Sequence, residues 1–229
     1  MRISVLELTI EGPRRRAWYT PATMTGVSIA KLFLILAGSL PTLLLMLLAR
    51  PVRDAVSRGN ALRLALGGGF VLLICRLVET ALSELVTAPG WLRIVILAPI
   101  VEETARFSWI RIASATHVEA GTIAGGAMGI SEHLVKCLTE ELPVSAMAFR
   151  ALATSPFHGL AGGLQSLSGK WFFRCLALHM LFNAGMLAGG FIGWFMTLGA
   201  LWTSGCAWFL GLQTERVDSA RDLPAPETE

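Results

Sequence analysis

The feature that most constrains this chain is the length of its apolar blocks. They run for roughly 17 to 25 residues, enough for a helix to cross a hydrocarbon core about 30 Å thick, with polar turns between them. Hydrocarbon offers no water to a backbone amide, so only helices and closed barrels can span it. A barrel strand needs only about 9 to 11 residues, so blocks this long read as helices. Composition agrees. Charged residues make up 15% of the 229 and the mean hydropathy is +0.61, whereas a soluble domain carries about 25% charged residues. The expectation is an all-α, polytopic transmembrane helix bundle in contact with the lipid bilayer.

About seven spans are expected. They cover residues 29–49, 61–88, 91–113, 120–138 and 144–167, then two more within the apolar run 171–212, divided at Gly189 and Gly190. Residues 1–28 form a polar N-terminal segment, 29–212 the transmembrane domain, and 213–229 a polar tail expected to be disordered. The N-terminus carries no cleavable signal pattern. It is placed outside, which puts more Lys and Arg in the inner loops. The net charge of +3 is small and spread along the chain, so no nucleic-acid partner is expected. Cys75, Cys137, Cys175 and Cys206 lie in or beside apolar blocks without CxxC spacing and read as small hydrophobes. Gly121, Gly125 and Gly129 recur every four residues, as do Gly185, Gly189 and Gly193, and Gly159 pairs with Gly163. Residues at i and i+4 share a helix face, where small side chains let neighbouring backbones approach closely in lipid.

Ionisable groups inside spans are costly, about 2.5 to 3.5 kcal/mol each on insertion scales, and persist facing one another, a cavity or a partner. The third span reads APIVEETARF. Its Glu102 and Arg106 stand at i and i+4 and are expected to pair, leaving Glu103, rotated about 100° away, as general base. The fourth span carries Glu132 with Lys136 four residues on, the fifth carries His158, and the sixth carries His179 and Asn183 on one face. If these groups meet, they supply a base, imidazoles to orient or ligate, and an amide to stabilise an oxyanion. That inventory suits activation of water against a carbonyl.

The ordered set, EExx(R/K) followed by a glutamate, a lone histidine and HxxxN on successive helices, resembles the PrsW family of intramembrane proteases. That family is related to the CAAX prenyl protease and bacteriocin-processing group. The resemblance covers about residues 98–185. It implies a protease of the bacterial cytoplasmic membrane that cuts membrane-anchored proteins or peptides, with Glu102, Glu103, His158, His179 and Asn183 in the active site. Arg106, where the family pattern usually has lysine, and Glu132 are supporting residues by the same resemblance. The pattern departs once more at Met128, where an aromatic residue often precedes the second glutamate.

Two histidines and a glutamate (His158, His179, Glu103) also make a zinc-type donor set, although HExxH is absent. Direct activation of water by a glutamate, with no cofactor, is the preferred expectation. Two readings compete: a non-catalytic membrane scaffold that has kept the polar core, and a small proton-coupled transporter.

Overall fold

The computed structural model describes residues 29–49, 56–139 and 144–221. These residues are almost entirely helical. In chain order the elements are α1 (Ile29–Leu48), α2 (Arg58–Leu85), α3 (Gly90–Leu92), a π-helical stretch (Arg93–Leu97), α4 (Ala98–Ile112) and α5 (Val118–Thr139). They are followed by α6 (Val144–Phe149), a second π-helical stretch (Arg150–Thr154), α7 (Ser155–Leu167), α8 (Lys170–Ala188) and α9 (Gly190–Arg221). Because α3 runs through its π stretch into α4, and α6 likewise into α7, the described residues make seven rods. Their ends lie within a few residues of the seven expected blocks, except the end of α9. The all-α expectation holds.

Among the described residues, three helices are long and apolar enough to cross a membrane: Arg58–Leu85, Lys170–Ala188 and Gly190–Val217. Many large apolar side chains are exposed while a set of ionisable ones is buried within the core, the reverse of a soluble domain. Phe191 is 86% exposed and Leu85 80%, while Glu103, His158 and Gln165 are fully buried. That inversion marks a membrane protein, because the lipid-facing side needs no polar atoms and the polar atoms need one another. It also explains why α4 and α5 score as less apolar. Their Glu102, Glu103, Arg106, Glu119, Glu132 and His133 are buried inside the bundle.

Helix α5 packs against α7 through its glycine stripe. A Cβ on Gly121, Gly125 or Gly129 would collide with the carbonyl oxygen of Gly162, His158 or Ser155 respectively. The two backbones are therefore in contact, and Ser155 Oγ donates to the Gly129 carbonyl at 3.0 Å. The α8–α9 hairpin turns at Gly189 and Gly190, whose φ values of 62° and 58° fall in the left-handed region open to glycine. Below that turn, a Cβ on Gly185 would meet the Gly193 carbonyl.

The polar tail starts later than expected. Helix α9 continues to Arg221 because its last turns are held: both carboxylate oxygens of Glu215 accept from the Val118 amide at 3.0 Å. Residues 222–229 lie outside the described residues. So do the N-terminal segment 1–28, the basic loop at Arg50 and Arg53, and the acidic turn at Glu140 and Glu141.

The two π stretches share a local cause. Each opens on an arginine and is followed by a proline six residues later: Arg93 and Pro99, Arg150 and Pro156. Proline has no N–H, and its ring clashes with the carbonyl four residues back. Widening the turn by one residue moves that carbonyl aside. The amide of Ala98 then reaches the Arg93 carbonyl, and that of Ser155 the Arg150 carbonyl.

Candidate active site

Four helical rods bring their polar side chains to one place. Helix α4 contributes Glu102, Glu103 and Arg106; α5 contributes Glu132; α7 contributes His158 and Gln165; α8 contributes His179 and Asn183. The glycine contacts of α5 with α7 decide one half of this assembly. They bring His158 against Glu132, with Nε2 and Oε2 2.8 Å apart. On the other side of the same imidazole, Nδ1 lies 2.6 Å from Arg106 Nη1. A guanidinium can only donate, so Nδ1 accepts and Nε2 carries the hydrogen that Glu132 receives.

Glu103 is enclosed by donors. It is ion-paired with Arg106, accepts from Gln165 Nε2 at 2.6 Å and receives the His179 Nδ1 hydrogen at 2.7 Å. Gln165 returns its carbonyl oxygen to Arg106 Nε at 3.3 Å. These groups form a sealed network in which each charge has a partner, the condition for keeping a buried carboxylate and guanidinium ionised.

Glu102 stands apart from that network. Its Oε2 lies 3.6 Å from His179 Nε2 and 3.8 Å from His158 Nε2. Because Glu103 fixes the His179 hydrogen on Nδ1, the Nε2 lone pair is turned toward Glu102. Glu102, His179 and Asn183 line a cavity of about 740 Å³, together with Arg76, Glu79 and Arg150. The Asn183 amide donates to the Ile94 carbonyl at 2.9 Å, a carbonyl within the first π stretch. Phe157 stacks on Phe182 with ring centroids 4.9 Å apart and touches His179 at 5.3 Å, which seats the imidazole.

No protein family, curated protein or solved structure matches this chain.

The expected site residues converge, but two expectations are corrected. Arg106 pairs with Glu103 at i and i+3, not with Glu102 at i and i+4. Both spacings put side chains side by side, so the helix alone does not choose. Gln165 and His179 choose, by meeting Glu103 from α7 and α8. Glu103 is therefore the enclosed carboxylate and Glu102 the one at the cavity, which reverses the expected roles. The second correction is that Glu103 and His158 do not line the cavity. They stand one layer behind it.

The zinc-type set changes accordingly. Donor atoms of Glu102, His158 and His179, not Glu103, lie within 4.8 Å of one another. His179 suits a metal, since a carboxylate on the far ring nitrogen is the usual way a ligating imidazole is oriented. His158 does not. With Nδ1 held by a guanidinium, its Nε2 could ligate only by losing its last hydrogen and breaking from Glu132. Two ligands remain, fewer than the three of a catalytic zinc site.

Four residues of the site were not singled out from the sequence. Gln165 bridges Glu103 and Arg106. Arg76 and Arg150 donate to Glu132 Oε1 at 3.2 and 2.6 Å, beside Lys136 at 3.2 Å. Glu79 accepts from Arg76 at 2.8 Å. Gln165 did leave a signal: it follows His158 by seven residues, two turns on the same face, in a stretch (155–167) whose other residues are small or apolar.

Proposed function

We propose that this chain is a PrsW-like intramembrane endopeptidase of the glutamate type, with all seven rods crossing a bacterial cytoplasmic membrane. The observation that carries the reading is the placement of Glu102. Its carboxylate faces a cavity beside the lone pair of His179, while every other carboxylate of α4 and α5 near it is bound by cations. The separation of about 3.6 Å lets the two groups hold one water from two sides.

In this reading Glu102 takes a proton from that water as its oxygen attacks the carbonyl carbon of a peptide bond. His179, oriented by Glu103, holds the second hydrogen and fixes the angle of attack. The carbonyl oxygen becomes an oxyanion, and the Asn183 amide has one hydrogen left after Ile94 to donate to it. When the tetrahedral species collapses, the C–N bond breaks and the Glu102 proton passes to the leaving nitrogen. Arg106, Gln165, His158 and Glu132 touch no reacting atom; they position groups that do. No cofactor is needed for these steps.

The test is cleavage of a panel of single-span and prenylated peptides by purified protein in detergent, comparing wild type with Glu102→Gln. Cleavage by wild type and its loss in the variant support the reading. Equal cleavage by both proteins removes Glu102 from the chemistry. A wild type that cuts none of the panel while exchanging protons across a vesicle membrane favours the transporter.

A further inference from the structure

The cavity in front of Glu102 is richer in cations than in carboxylates. Among its described lining residues stand Arg76, Arg93, Lys136 and Arg150, against Glu79, Glu102 and Glu132. Three of the four cations are committed: Arg76, Lys136 and Arg150 all reach Glu132 Oε1. Arg93 is not. It spends its Nε on the Ala88 carbonyl at 3.0 Å, and no carboxylate among the described residues pairs with its two terminal nitrogens. Two further polar atoms are buried without a hydrogen-bond partner, Arg150 Nε and Thr154 Oγ1, and both residues line the same cavity. The proline-widened turns account for the placement. Each π stretch begins with its arginine, and each arginine reaches the cavity.

We propose that Arg93, with Arg150 and Thr154 of the same cavity, forms a recognition subsite for a carboxylate of the substrate, close to the bond that is cut. The two terminal nitrogens of Arg93 face the cavity without a carboxylate, and a carboxylate that fills this fork gains charge-assisted, two-point hydrogen bonds. An adjacent orphan hydroxyl and guanidinium N–H supply further donors. A carboxylate can come from an acidic side chain or from a chain terminus, and both would satisfy these atoms. The inference rests on the hydrolytic reading only in calling the occupant a substrate.

The experiment measures binding, not turnover, so it stands apart from the test of proteolysis. The probes are N-dodecanoyl-glutamate against N-dodecanoyl-glutamine for a side-chain carboxylate, and N-dodecanoyl-glycine against its amide for a terminal one. Each is titrated calorimetrically into full-length protein in zwitterionic nanodiscs. Wild type should bind one carboxylate about tenfold or more tightly than its neutral partner, the worth of a charge-assisted hydrogen bond. Which pair shows the preference identifies the source. Arg93→Gln should erase it and Arg93→Lys should keep part of it. Arg174→Gln should leave it intact, since Arg174 lies over Trp171 near the start of α8, away from the cavity. Equal binding of both members of each pair, or a preference that survives Arg93→Gln or is lost in Arg174→Gln, overturns the subsite. A preference found in a protein that cuts no peptide would keep the subsite and remove the protease.

Discussion

The polar centre of this protein has two halves, and they are built on opposite rules. Behind α4, Glu103, Arg106, Gln165 and His158 are fully or almost fully buried, and each meets a partner of matching sign or hydrogen-bonding type. In front of α4, Glu102, His179, Asn183 and Arg93 face a cavity, and each keeps at least one polar atom uncommitted within the bundle. Adjacent residues of one helix thus have contrasting surroundings. The sealed half holds geometry, and its loss should appear as lost stability. The open half holds less, His179 Nδ1 on Glu103 excepted, and loss of Glu102 should appear in function with the fold intact. Desolvation explains the division: a buried charge without a partner destabilises strongly, so reactive groups can be left unsatisfied only where water or substrate can enter.

The largest effect is expected at the open half. Glu102→Gln keeps the shape and removes the base, and should lower peptide cleavage by about 10²- to 10⁴-fold with no change in thermal unfolding. A fall in melting temperature equal to that of a sealed-half variant would erase the distinction. Next comes Arg106→Ala, which strands Glu103 and His158 and should cost about 3–5 kcal/mol, read as poor yield and early unfolding in detergent. Arg106→Lys should recover part of both, because a point charge replaces only part of a planar fork. Well-folded, fully active Arg106→Ala protein would contradict the structural role.

Gln165→Leu is milder. It leaves one Glu103 oxygen and one Arg106 hydrogen without partners, at about 1–3 kcal/mol, and any loss of cleavage should track the loss of folded protein. A variant that unfolds normally but no longer cuts would move Gln165 to the reacting side. The smallest expected effect is that of chelators. Cleavage should be indifferent to them, and purified protein should hold no stoichiometric zinc. Zinc near one per chain, lost on His179→Ala, would require His158 to abandon Arg106 and would replace the metal-free mechanism.

Much of the fold was legible because each helical rod coincides with an apolar block and each break with glycine, proline or charge. Gly189 and Gly190 divide the last apolar run where expected, since the positive φ there favours glycine. The end of α9 was not legible. Its last turns are polar, and what holds them is a contact with the Val118 amide, 97 residues earlier. The π stretches were missed too, although proline six residues after an arginine occurs twice within the apolar blocks.

By itself, the sequence determined that this chain is helical, that its helices seek an apolar surrounding, and that its glutamates, histidines and asparagine must find one another. Each follows from the cost of an unsatisfied polar group in hydrocarbon, a cost that depends on composition and periodicity alone. Only the tertiary structure decided which glutamate is enclosed and which is exposed to the cavity. Glu102 and Glu103 are chemically identical and both within reach of Arg106. The difference between them is made by Gln165 and His179, which arrive from α7 and α8, and by the glycines of α5 that let α7 come close enough for His158 to occupy the other side of Arg106.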